Sequence, residues 1–438
     1  MTDFTWTHTY VTSASTSKGL FERAQRVLPA GVSYAIRDFP PHPFYVDHAS
    51  GCRLYDVDGN AYTDYWSGHG ALLLGHAPRP VIEAVARQLD LGTHFGFSHL
   101  LEIELAELVR EMLPGAEMIR FTNSGTEANM YAIGLARAHT GRSKIAKAEG
   151  GWHGGYDALN KAVHAPFTTP EAAGIDPKAV EDTLVFTFND LNSVRDLVKA
   201  EEVACVVLEP MMDVAGFIPA EPGFLTGLKT LCEQTGTLLI FDEVVTGFRL
   251  GPGGAQELFG VRPDITTIGK IMGGGFPVGA LCGRTEVFSR LDHRRFPRLP
   301  DRAFHGGTFA ANPVSMVAGI ATLKALRDGE VYARLDRLGG QARTGLESIF
   351  RDSGLDAAIT GLGSTFSIHF QKSPPRNARE MAANDFAMAR RYYDFLLSRR
   401  VVYLTPAVPH MFLNAAHSSE DITEFLSITE DFVRTVTG

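Results

Sequence analysis

Three β-rich runs that each end in a charged group constrain this chain most. "ACVVLEP" closes on Glu209, "TLLIFDE" on Asp242 and Glu243, and "DITTIGK" on Lys270. Longer stretches with apolar residues at helical spacing lie between such runs, an alternation that belongs to an α/β protein built on a mostly parallel sheet. In open parallel sheets, ligands sit outside the carboxyl ends of the strands. Glu209, Asp242, Glu243 and Lys270 are therefore expected to converge on one crevice.

Three further runs, "EMIRFTN", "SKIAKAEG" and "TLVFTF", have strand character, while "PVIEAVARQLDL", "LEIELAELVREML" and "EANMYAIGLARAHTG" have helical periodicity, the last ending at Gly141. The 438 residues exceed what one hydrophobic core usually serves. We expect a large unit over residues 66–312 and a smaller α+β unit over 313–438, with residues 1–65 packing against the small unit or a partner subunit. A net charge of -9 argues against nucleic acid or an anionic membrane as the main partner. Four dispersed cysteines form no CxxC pair, which disfavours a disulfide framework or structural metal. The N-terminus lacks the basic and apolar regions of a secretion signal, and no apolar run reaches membrane-spanning length. A soluble cytoplasmic protein is the expectation.

Four local features bear on chemistry. In "FTNSGTEAN" a strand runs into a turn, Ser124-Gly125-Thr126, and Glu127 opens a helix. The turn could hold a phosphate at the helix N-terminus, or Ser124 or Thr126 could be a plain N-cap. In "GGWHGGYD", Trp152 offers a flat face to a ligand or to the core, and His153 is either a supporting polar group or structural. Asp242, at the end of an apolar strand, needs a cationic partner, from the protein or from a ligand. Lys270 lies in "TIGKIMGGGFPVGA", before its glycines. A Walker-type loop places the lysine after them and follows it with Ser or Thr, so that reading fails, as does the G-x-G-x-x-G fingerprint. What remains is a lysine at the mouth of the sheet, where a neutral amine forms Schiff bases with carbonyl compounds. A phosphate cup, a stacking ring, a buried carboxylate and a Schiff-base lysine together describe the needs of one cofactor, a pyridine aldehyde phosphate.

With "LYDVDGNAYTDY", "TNSGTEAN", "GWHGGYD", "LLIFDEVVTGFR", "PDITTIGKIMGGGFPVGA", "GGTFAANP" and "AAHSSEDI" in this order, the chain resembles the class III aminotransferases of the fold-type I pyridoxal-phosphate enzymes. It is most similar to the branch of glutamate-1-semialdehyde aminomutase and β-amino-acid aminotransferases. The resemblance implies pyridoxal 5'-phosphate as cofactor, with Lys270 as Schiff-base and proton-shuttling residue and Asp242 beside the pyridine nitrogen. It also implies Val244 on the ring face opposite Trp152, with Ser124, Gly125 and Thr126 at the phosphate. His153 and Glu209 complete the expected cofactor contacts. Thr308 is similar to a threonine given to the phosphate of the other subunit, which implies a homodimer with shared sites.

On the substrate side the resemblance points to Arg37 as a carboxylate contact and to Trp66, His69, His410 and Met411 as pocket residues. The chain departs from the aminomutase pattern at "SYAIR", at His69 and near Pro409 and His410, where an expected Glu is missing. The expected reaction is therefore aminotransfer from an amine or amino acid, such as a β-amino acid or aromatic amine, to a keto acid. Glutamate-1-semialdehyde aminomutase is the alternative.

Overall fold

The computed structural model describes residues 14–167, 170–199, 202–403 and 407–438. Residues 1–13 of the N-terminal segment, and Thr405 and Pro406 of the C-terminal loop, lie outside the described residues. Seven strands form the central sheet: β1 (Met118–Thr122), β2 (Lys144–Ala148), β3 (Thr183–Phe186), β4 (Val203–Leu208), β5 (Leu238–Glu243), β6 (Ile265–Gly269) and β7 (Gly279–Gly283). Their order is β1-β7-β6-β5-β4-β2-β3. The pairs β2–β3, β2–β4, β4–β5 and β5–β6 are parallel, and β7 runs antiparallel to both neighbours. All six strands expected from the sequence are present. The seventh was hidden in the lysine-glycine stretch because "GALCG" carries no β-branched residue.

Every residue of β4, β5 and β6 is buried. These central strands are covered on both faces, which is why they read as continuous apolar runs rather than as alternation. On one side, Ala132, Ile133 and Ala136 of the helix Gly125–Thr140 pack against Ile145, Cys205 and Ile240. That helix is capped by Ser124, whose hydroxyl accepts from Glu127 N at 3.1 Å, and it ends at Gly141 with φ 71°. Gly279 lets β7 pass this cap: a Cβ there would lie 2.2 Å from the Ser124 carbonyl oxygen.

The helix Pro313–Leu326 packs on the helices Arg79–Leu91 and Leu100–Met112, with Ala318 meeting Val81 and Val85. Beyond it, Glu330–Ser353 packs on Ser419–Thr437, and a three-stranded sheet joins Ala358–Thr360, Thr365–His369 and His410–Phe412. Chain ends meet in a four-stranded sheet, where Val401–Val402 runs parallel to Ala61–Asp64. Among the described residues no helix is long and apolar enough to cross a membrane, and no cluster of three metal-ligating side chains occurs. All four cysteines are buried and unpaired.

Candidate active site

Strand alternation separates the two carboxylates at the end of β5. Glu243 turns into the protein, accepting from Ala255 N at 2.6 Å, Gln256 N at 3.1 Å and the Thr246 hydroxyl at 3.0 Å. Its place in the expected crevice is thus corrected: it anchors the turn after the strand. Asp242, 4% exposed, faces the other way and accepts from His153 Nδ1 at 2.7 Å, Asn129 Nδ2 at 2.8 Å and Val244 N at 3.1 Å. Burial alone would raise its carboxyl; the bonds from His153, Val244 and Asn129 outweigh that and hold it below the ordinary carboxylate range. His153 is fully buried, and burial lowers its pKa against the pull of Asp242. Its Nδ1 faces Asp242, and Nε2 is left without a partner.

Asp242 opens on a cavity of about 400 Å³ that also exposes Gly125, Thr126, Trp152, Val244 and Lys270. Gly125 touches Val244 so closely that a Cβ would lie 2.8 Å from its methyl group. Gly154, with φ +87°, brings the loop after β2 onto Thr126, where a Cβ would be 2.1 Å from Oγ1. Gly155 N donates to that same hydroxyl at 3.3 Å. Ser124 is used as the helix cap and does not line the cavity. Glu209, at the end of β4, fixes Trp152 by accepting from its backbone N–H at 2.9 Å. Burial, with Asp213 and Asp242 nearby, pushes the Glu209 carboxyl up to about 8. Lys270 follows β6 at φ +45°, a left-handed conformation uncommon for any residue but glycine and typical of functional positions under strain.

A second cavity of about 460 Å³ shares Lys270, Trp152 and Asp213 with the first. Trp66, His69 and His410 line it, with Val163, Phe167 and Val408. Trp66 meets His69 at 5.0 Å and His410 at 5.1 Å between ring centroids. Burial, Lys270 and Arg37 push His69 down to about 4. Three expected residues stand elsewhere. Met411 alternates with His410 and is fully buried in the core, paired with Phe366. Arg37 is exposed on the turn Ala35–Arg37 and lines neither cavity, although it lies near enough to act on His69. Thr308 lines a separate groove with His94, Phe95 and Phe97.

Sequence reasoning missed Asn129, Thr267 and Asp213. Asn129 accepts from the Thr267 hydroxyl at 2.8 Å while donating to Asp242, so it ties the helix to β5 and β6. It stands one turn into the helix from Gly125, on the same face.

The donor set fits a pyridoxal phosphate. A helix N-terminus with Gly125 and Thr126 suits the phosphate, Trp152 and Val244 flank the space, and a buried carboxylate, held below its usual range by hydrogen bonds from His153, Val244 and Asn129, opens on it. When bound, the cofactor supplies an electron sink for the carbon bearing the amine. Asp242 would hold a protonated ring nitrogen, with His153 and Asn129 aiming that carboxylate, and Lys270 Nζ would carry a proton to and from the reacting carbon.

The sequence matches the aminotransferase class-III family over residues 34–407. It is 43% identical over 418 residues, 95% of this chain and 98% of the other, to a protein of Methanothermobacter thermautotrophicus named glutamate-1-semialdehyde 2,1-aminomutase. Further relatives at 37% to 42% identity carry that name. Among solved structures, an omega-transaminase from Sphaerobacter thermophilus superposes with TM-score 0.92 at 37% identity, covering 98% of this chain and 99% of that one. A transaminase with PLP bound gives 0.89 at 33%, covering 97% and 98%. A β-phenylalanine aminotransferase from Variovorax paradoxus gives 0.89 at 32%, covering 98% and 96%. The chain belongs to the class III aminotransferases, pyridoxal-phosphate enzymes of fold type I.

Proposed function

We propose that the protein moves the amino group of an amine or amino acid, β-amino acids and aromatic amines included, to a separate keto acid in two half reactions. One observation carries this reading: the cavity beside Lys270 is lined by Trp66, Val163, Phe167, Phe386 and Val408, alongside the more polar His69, His164, Asp213 and His410. Such walls favour a hydrocarbon or aromatic substituent over the short, polar chain of glutamate semialdehyde. Arg37, near His69, is the proposed contact for a carboxylate at the cavity mouth.

A second reading has a specific observation behind it. The relatives named glutamate-1-semialdehyde 2,1-aminomutase, reaching 43% identity across nearly the whole chain, favour an intramolecular transfer giving 5-aminolevulinate. The comparisons support this alternative more strongly than they support aminotransfer. Product analysis separates the two. Keto product formed from a donor panel only when a second keto acid is supplied supports aminotransfer. If 5-aminolevulinate forms from the semialdehyde alone and no donor transfers to an added keto acid, the first reading is overturned.

The same proposal places the enzyme in the cytoplasm as a homodimer. Exposed Phe97 shares a groove with Thr308, and Phe309, the chain neighbour of Thr308, is exposed too, an apolar surface that suits a second copy delivering Thr308 to the neighbouring site. The unit boundaries at residues 65 and 312 belong to this proposal. Pairing of Ala61–Asp64 with Val401–Val402 supports an N-terminal segment associated with the C-terminal unit.

A further inference from the structure

One charged group in the cavity has no task in the chemistry above. Asp213 follows the short strand Met211–Met212 and begins the turn to Ile218–Pro219. Its backbone is fixed on both sides. The N–H donates to Glu209 Oε2 at 3.1 Å, and the carbonyl accepts from Gly216 N at 2.8 Å. The side chain takes no part in this turn: Oδ1 is buried and has no hydrogen-bond partner. A carboxylate oxygen removed from water without a donor is costly to keep, so the position asks for a donor from a ligand.

Asp213 lines both cavities, at the place where the cofactor space opens into the substrate space. Among the described residues no cation pairs with it. Lys270 shares the same walls without forming an ion pair to it. Burial lowers the pKa of both His69, to about 4, and His410. The buried Arg249 guanidinium lies within electrostatic range, yet its Nη atoms are committed to Ser364 Oγ and to the carbonyls of Leu413 and Gly70, and its Nε makes no hydrogen bond. On the substrate side, the described walls around it are mostly rings and hydrocarbon. Tyr34 stacks on His69 at 5.9 Å, and Trp66 stands edge-on to it. A carboxylate beside aromatic faces is a setting that receives an ammonium group, and the apolar walls suit the methylenes leading to it.

We propose that Asp213 is a specificity-determining residue whose carboxylate receives a second, positively charged nitrogen of the amino donor, remote from the amine being transferred. The favoured donors are then α,ω-diamines and amino acids with a basic end. This rests on reading the cavity as the donor site of an aminotransferase.

Pentylamine and 1,5-diaminopentane test it, since they match in length and differ by one ammonium. Each is titrated into the cofactor-loaded enzyme, and the half-saturating concentration is read from the cofactor's absorbance. The diamine should half-saturate at a concentration at least about tenfold lower, the size expected for a hydrogen bond to a charged group. Asp213→Asn should bring the ratio close to one, and Asp213→Glu should retain part of the preference. Equal half-saturation in the wild type, no spectral response to either amine, or an undiminished ratio in Asp213→Asn overturns the proposal. A parallel incubation with a keto acid keeps the two readings apart. If the diamine preference holds but neither amine yields its aldehyde together with the amino acid formed from the keto acid, aminotransfer fails and the Asp213 assignment stands; turnover of both amines without a preference gives the reverse.

Discussion

Replacing Asn129 by Ala tests whether Asp242 is a carboxylate held ready by its surroundings. The side chain of Asn129 donates to Asp242 Oδ2 at 2.8 Å and to the His153 carbonyl at 3.2 Å, and accepts from the Thr267 hydroxyl at 2.8 Å. Loss of a hydrogen bond to a buried charged group costs about 1.5–3 kcal/mol, and each neutral bond about 0.5–1.5 kcal/mol. Thr267 already lies 3.4 Å from Asp242 Oδ1 and can re-aim to it, so one neutral bond is recovered. The net local cost is about 2–4 kcal/mol by the same scale. Part of it falls on the ionised state of Asp242, whose pKa is depressed in the fold. A group of that kind contributes binding and stability above its ordinary pKa, lost as pH falls through the depressed one. In Asn129→Ala the depression shrinks, so the loss begins at a higher pH. Cofactor dissociation constants measured by absorbance titration between about pH 4 and 8 check this. The expectation is affinity weakened roughly ten- to a hundredfold at pH 8, with an acid limb displaced upward. Wild-type affinity with an unmoved acid limb would refute the reasoning.

At Gly154 an added Cβ meets Thr126 Oγ1 at 2.1 Å and its Cα at 2.8 Å, whereas at Gly155 it meets nothing within 4 Å. Gly154→Ala should therefore weaken cofactor binding at least about tenfold by overpacking, and Gly155→Ala should not; similar constants for the two variants would contradict the fit at the helix N-terminus. Lys270 sits at φ +45°, so Lys270→Gly should melt higher than Lys270→Ala, the difference being about 1–2 kcal/mol. Calorimetry of the two variants compares them without reference to activity. Glu209 carries a carboxyl raised from 4.5 to about 8. Its contribution to stability is complete below 4.5 and is lost as pH rises toward 8. Melting temperatures of Glu209→Gln should exceed those of the wild type above pH 8 and approach them near pH 4.5, a trend that a pH-independent offset would disprove.

How much of this site the sequence exposes depends on which physical rule acts at each position. Asp242, Glu209 and Lys270 were legible because a buried strand has a directional end, and a polar residue there has few places to go. The neighbouring Glu243 shows the limit of that rule. Two adjacent carboxylates on one strand point to opposite faces, so only one can reach the crevice, and the choice depends on which face the turn Gly253–Gln256 covers. The same alternation divides His410, which lines the substrate cavity, from Met411, which is packed beside Phe366 in the core. Arg37 carried no such constraint, since a short turn fixes neither face nor depth, and the residue lies exposed.

Asn129 and Asp213 were silent for a different reason. Their partners stand far away along the chain, 113 positions between Asn129 and Asp242, and no local pattern distinguishes a helical Asn that holds a catalytic carboxylate from one that faces water. Asp213 is harder still to read from sequence: its proposed role rests on an oxygen with no hydrogen-bond partner, a property that exists only after the whole cavity has closed around it. Strand ends therefore reveal the residues that open on the cavity, while the groups that hold those residues in place emerge from packing between distant segments.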